Sequence, residues 1–143
     1  MTTCPICEKH QKNDPGILFE NDAWVISAGP HASHVLGYVY LEPKRHVEDW
    51  TELSTEEFSQ VGPLVKKVEA FLKEQGKAER LYMVTISEAV RHLHIHLIPR
   101  EEGGELKGLP LIEQATQQKG KVNPVALDDY ERFVDQMRVY LAE

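Results

Sequence analysis

Several things are missing from this sequence, and each absence removes a class of function. No apolar run approaches the roughly 18 residues that a membrane-spanning helix needs, so no membrane partner is expected. The opening, Met1-Thr2-Thr3-Cys4-Pro5, has no basic stretch followed by an apolar one. No secretory signal is therefore expected, and a cytoplasmic location is. Positive charge is in deficit: 16 Lys and Arg face 23 Asp and Glu, a net charge of −7. That excludes general binding to nucleic acid polymers, whose phosphates demand a basic surface. A small anionic ligand stays open, because a local basic pocket can outweigh the global sign. Cysteine is scarce, with only Cys4 and Cys7. A bridge across so short a loop would staple almost nothing, so in a reducing compartment the pair reads as metal ligands.

What remains is an ordinary globular composition, 41% apolar and 27% charged over 143 residues. That suits one domain with one core. No internal repeat or low-complexity run interrupts it. Residues 16–19 lead into a turn at Glu20-Asn21-Asp22, and 23–28 read as a strand, together a hairpin. Residues 29–34 read as a loop and 37–42 as a strand ended by Pro43. Ser54 and Glu57 have capping-box spacing. Phe58, Val61, Leu64, Val65, Val68, Phe71 and Leu72 then follow at helical intervals, predicting a helix that stops near Gly76. Pro63 inside it implies a kink or a first turn. Residues 80–87 and 92–98 are further strands. Residues 101–124 read as a long loop with little regular structure, and a short helix is expected from about Asp128. The class is α+β, with helices segregated from a mostly antiparallel sheet.

The most informative segment is His92-Leu93-His94-Ile95-His96-Leu97-Ile98. Period-two alternation places three imidazoles on one strand face and Leu93, Ile95 and Leu97 on the other, toward a core. At about 3.3 Å per residue, His92 and His96 stand ~13 Å apart. One ion cannot hold both, so the three histidines divide their tasks. Neighbouring pairs could share an ion.

This segment resembles the signature of the histidine-triad (HIT) superfamily. Pro43-Lys44-Arg45-His46 resembles that family's strand-ending Pro-Lys-x-His, with a helix between the two motifs. The resemblance covers roughly residues 4–100, with the rest a loop and C-terminal helix of one HIT domain. It implies a HIT-like fold, a five-stranded mostly antiparallel sheet with a long helix and a C-terminal helix, and a homodimer. It also implies binding of a nucleoside phosphate and, in active members, hydrolysis or transfer of a nucleotidyl group. The attacking atom would be an imidazole nitrogen of His94. His96 would hydrogen-bond the phosphate or protonate the leaving group. No metal or organic cofactor is needed for that route. Some relatives join a Cys-x2-Cys knuckle to two histidines in a structural zinc site. The matching residues are Cys4, Cys7, His46 and His92, with His10 the rival fourth ligand.

Two positions depart from the family pattern. Glu88 stands where active members carry a glutamine near the α-phosphate, and a carboxylate there repels phosphate. Tyr38 follows Gly37 where a further histidine is usual. Glu88, Tyr38 and Arg91 are thus expected at the nucleotide. Lys44, Arg45 and Arg100 could add positive charge or simply be solvated. Three functions compete: a nucleotide phosphohydrolase or phosphoramidase, a nucleotide-binding module without turnover, and a zinc-stapled interaction domain.

Overall fold

The computed structural model describes residues 3–119 and 122–143. Its sheet grows from a hairpin of β1 (Ile17–Glu20) and β2 (Trp24–Ala28). Asn21 makes the turn: its side-chain oxygen accepts from the backbone N–H groups of Ala23 and Trp24, at 2.9 and 2.8 Å. β3 (Val39–Pro43), β4 (Arg80–Val84) and β5 (Ile95–Arg100) complete a five-stranded sheet ordered β1-β2-β3-β5-β4. Every neighbouring pair is antiparallel. The expected α+β class, with a five-stranded antiparallel sheet, a long helix and a C-terminal helix, is what the structure shows.

One face of the sheet carries the main core. Val39, Leu41, Ile95 and Leu97 pack there against α3 (Val61–Glu74) and α5 (Leu127–Leu141). Those helices contribute Leu64, Val68, Phe71, Leu72, Phe133, Met137 and Leu141, the apolar stripe that helical spacing marks. The helix expected as one piece from Ser54 is two. α2 (Thr55–Ser59) begins at a Ser54–Glu57 capping box, and the chain passes through Gln60 into α3. Pro63 falls in the first turn of α3, where its missing N–H has no helical partner to lose.

Three sequence expectations need correction. Residues 101–124 are not a structureless loop, because α4 (Leu109–Gln117) lies within them. Residues 120 and 121 of that stretch lie outside the described residues. Pro110 in the first turn starts α4, and Leu111 and Ala115 bury against Tyr38 and Ile98. The C-terminal helix is not short; α5 has 15 residues. The strand expected over 92–98 begins only at Ile95 and runs to Arg100. His92 and Leu93 leave the ladder, with the Leu93 N–H donating to the Val47 carbonyl at 2.8 Å. Pairing with β3 reaches only to Leu97, so Pro99 takes no bond from that ladder.

The second face of the sheet positions the chemistry. Alternation turns Tyr38, Tyr40 and Glu42 onto it, opposite Val39 and Leu41. Tyr40 stands directly across from His96 in the register. α1 (Pro5–Gln11), which the sequence reading left as a bare knuckle, covers one border of this face, and α4 covers another part.

Candidate functional site

Two groups of side chains meet where β5 begins. The first is a four-donor cluster. Cys4 caps α1 and Cys7 lies on its first turn, with the Cys7 N–H donating to the Cys4 sulfur at 3.4 Å. His46 comes from the segment after β3 and His92 from the residues before β5. Cys4 Sγ lies 3.4 Å from His92 Nδ1, Cys7 Sγ lies 3.5 Å from the same atom, and Cys7 Sγ lies 3.6 Å from His46 Nδ1. All four donor atoms fall within 4.8 Å of one another. Zinc bonds of about 2.3 Å to sulfur and 2.05 Å to nitrogen, at tetrahedral angles, separate sulfur from nitrogen by about 3.6 Å. The cluster therefore has the dimensions of a tetrahedral zinc site.

The protonation states agree with that use. Nε2 of His92 lies 2.7 Å from the Pro43 carbonyl and donates to it, which leaves the Nδ1 lone pair aimed at the cluster. Burial holds the His92 imidazole below its usual range, so the ring is neutral. Burial, then the neighbouring Cys4, pushes the Cys7 thiol up to about 11 in the absence of a cation. A divalent ion is what would let both sulfurs ionise together. His10 is not in the cluster. Its Nε2 is 3.0 Å from Oε1 of Glu42.

The second group holds the other two triad histidines. Nδ1 of His94 is 2.8 Å from the His92 carbonyl. A carbonyl only accepts, so Nδ1 carries a proton, and in the neutral ring Nε2 is the nitrogen with the lone pair. Two hydroxyls fix the His94 backbone: Ser87 Oγ accepts its N–H at 3.2 Å, and Thr85 Oγ1 donates to its carbonyl at 2.8 Å. The His96 ring lies 5.0 Å from that of His94. Burial, then the adjacent His94, lowers His96 to about 4, so the His96 ring is neutral. Its Nδ1 is 2.6 Å from the Tyr38 hydroxyl.

The remaining sequence candidates are more dispersed. Glu88 and Arg91 face each other at 4.0 Å on an exposed loop. With Glu48, Asp49, Trp50 and Ser87 they line a cavity of about 220 Å³. Tyr38 is buried behind His96. Lys44, Arg45 and Arg100 pair with Glu20, Glu57 and Glu79. A cation on the same sheet face is Lys9, which sequence reasoning missed. Its ammonium sits 5.3 Å above the Tyr40 ring and donates to Glu42 at 2.6 Å and to Ser27 at 2.9 Å. Burial alone would raise the Glu42 carboxyl. The His10 hydrogen bond and the Lys9 charge outweigh it and hold Glu42 below the ordinary range. A charged residue among the apolar letters of a strand was the available signal.

The HIT domain profile matches residues 12–103. This chain belongs to the HIT-domain family. Its fold is shared with HIT proteins of known structure. A hypothetical histidine triad nucleotide-binding protein from Sulfolobus tokodaii is 20% identical with a TM-score of 0.70, over 97% of this chain and 92% of that one. A Zn-bound histidine triad family protein from Mycobacterium smegmatis is 19% identical with a TM-score of 0.69, over 98% and 94%. A Hit-like protein from Bartonella henselae is 21% identical with a TM-score of 0.69, over 97% of each chain. No curated protein sequence is significantly similar to the chain. Among the described residues of this HIT domain, no helix is long and apolar enough to cross a membrane.

Proposed function

We propose that this HIT protein binds a nucleoside phosphate and hydrolyses it at the α-phosphorus through a nucleotidyl-histidine on His94. The observation that carries this is the His94 Nδ1 bond to the His92 carbonyl, at 2.8 Å. It points the Nδ1 proton at the carbonyl and leaves Nε2 as the ring nitrogen that can attack. In the first half-reaction the Nε2 lone pair forms a bond to phosphorus, and the bond from phosphorus to the leaving group breaks. His96 donates an N–H to the departing atom, which takes its proton from water. In the second, a water oxygen attacks phosphorus, the P–N bond breaks back to His94, and the surplus proton passes to solvent. Lys9 neutralises the buried Glu42 carboxylate on this face, so that no bare negative charge opposes the phosphate, and Arg91 guides the leaving group at the exposed loop.

Zinc on Cys4, Cys7, His46 and His92 would be structural, since four protein ligands leave no open position. Within the proposal, that cross-link fixes the His92 carbonyl and with it His94. We assign the protein to the cytoplasm as a homodimer. Light scattering that reports a monomer of about 16 kDa, the 16.3 kDa chain mass, would end the dimer assignment.

Binding without turnover is favoured by one observation, the acidic Glu48, Asp49 and Glu88 around the cavity that Thr85 and Ser87, the partners of the His94 backbone, also line. The deciding experiment mixes the protein with nucleoside phosphoramidates and dinucleoside polyphosphates. The wild type should turn over and give an acid-labile nucleotidyl adduct on His94. His94→Ala should lose turnover by a factor of 10² or more while keeping its metal content. Undiminished hydrolysis by His94→Ala would refute the mechanism. Binding with no hydrolysis by the wild type selects the binding module.

A further inference from the structure

We propose that Tyr38 is a positioning residue that fixes the tautomer of His96, making that ring an N–H donor at Nε2 toward the reacting phosphate. This rests on the reading of His94 and His96 as the reacting pair, and it concerns a residue that touches neither phosphate nor nucleophile.

A phenol has one proton to donate and an oxygen that accepts. The Tyr38 hydroxyl lies 2.6 Å from His96 Nδ1, and the contact is buried. Burial, then the neighbouring Tyr40, raises Tyr38 well above the ordinary tyrosine range, so the hydroxyl keeps its proton. The hydroxyl donates into the unprotonated Nδ1, and the single proton of the neutral ring is on Nε2. A neutral histidine placed at position 38 could either donate or accept at that contact and would leave both tautomers of His96 open. A tyrosine is also an acceptor in principle, but donating into a bare imidazole nitrogen gives the shorter, stronger bond that is seen.

Packing holds the pair in place. The Tyr38 and His96 rings are near-parallel, at 25° and 5.9 Å between centroids. Tyr40 closes another side of His96 edge-on at 5.3 Å, and His94 stands at 5.0 Å. Gly29 lets the Tyr38 ring lie against the β2 end, where a Cβ would come within 2.5 Å of Tyr38 Cδ2. The ring cannot flip to offer Nδ1 outward without breaking the buried tyrosine bond and leaving a hydroxyl unsatisfied. His96 is therefore set before substrate arrives, and the donor that meets the leaving atom is already oriented.

The test separates the tautomer from the reaction. Two-bond nitrogen–proton NMR on ¹⁵N-histidine protein, with His96→Gln to assign the signal, reports which nitrogen of His96 carries the proton. The wild type should show a protonated Nε2 and a bare Nδ1, the latter shifted as an acceptor. Tyr38→Phe should move that signal toward a mixture of tautomers. Its kcat should fall about tenfold or more for a poor leaving group, against less than about threefold for a good one, with KM little changed. Tyr38→His should recover part of the loss. A wild-type His96 protonated at Nδ1 overturns the proposal without any variant. So does Tyr38→Phe with an unchanged nitrogen spectrum. A wild type that hydrolyses nothing overturns the reading of the reaction, and the spectrum then decides the tautomer on its own.

Discussion

Gly29→Ala should disturb His96 from two residues away. Gly29 donates its N–H to the Tyr38 carbonyl at 2.8 Å, and its own carbonyl accepts the Tyr130 hydroxyl at 2.6 Å. It is thus clamped between two elements. A Cβ there would meet Tyr38 Cδ2 at 2.5 Å, Cγ at 2.8 Å and the carbonyl oxygen at 2.9 Å. Ordinary contact begins near 3.4 Å, so the ring has to retreat by about 1 Å. Tyr38 is 3% exposed, packed in a buried cluster with Ile98, Leu111 and Ala115. Overpacking of this kind costs ~1–3 kcal/mol, which for a domain of this size lowers the melting temperature by about 2–12 °C. A retreat of about 1 Å also carries the hydroxyl out of hydrogen-bond range of His96. Thermal melts of Gly29→Ala, Tyr38→Ala and the double variant form a cycle. Removing the tyrosine ring removes two of the three close contacts, so the cycle should show a coupling of about 1 kcal/mol or more. Additive melts, together with an unchanged His96 nitrogen spectrum in Gly29→Ala, would refute the argument.

Three further outcomes follow from the same structure. Protein purified without added metal should contain about one zinc per chain by elemental analysis, and Cys7→Ser or His46→Ala should lower both zinc and melting temperature. Full zinc retained in a His46→Ala, His92→Ala double variant would remove the ligand set. Lys9→Met should cost about 3 kcal/mol in urea unfolding, the low end for a broken buried ion pair because the Lys9 side chain keeps 23% exposure. Adding Glu42→Gln to that variant should restore part of the loss. Glu57 gives the pH test. The Arg45 hydrogen bond, then the Ser54 N–H, lowers its carboxyl from 4.5 to about 2. A depressed carboxyl stabilises the fold above its unfolded value and loses that contribution as pH falls through the folded one. Glu57→Gln should therefore melt below the wild type at pH 7, and the two should converge as pH falls from about 4.5 to 2.

Legibility in the sequence tracked the range of the interactions. The β1–β2 hairpin, the Ser54 capping box and the apolar stripe of α3 rest on local rules, and the structure carries all three. The four-donor cluster came from a family pattern, since nothing local links Cys4 to His92 across 88 positions. The triad was legible in its spacing but not in its backbone. His92 leaves the ladder to reach the cluster, which period-two alternation cannot anticipate. α4 escaped notice because Leu111, Ile112 and Ala115 make a stripe too brief to stand out between glycines. Tyr38 was marked as unusual at its position. Its bond to His96 spans 58 positions and needs the β3–β5 register to become visible.

α1 is tied down at both ends, and this bears on where the domain can be cut. The family profile begins at residue 12. A truncation placed there would discard Cys4 and Cys7, half of the cluster's donors. It would also strip Glu42, 1% exposed, of the Lys9 and His10 that neutralise it. The orphaned carboxylate would have to take up a proton or draw water into the sheet. An expression fragment starting at residue 12 would express a different folding problem from the intact chain. Failure of such a fragment would say nothing about the triad it was meant to isolate.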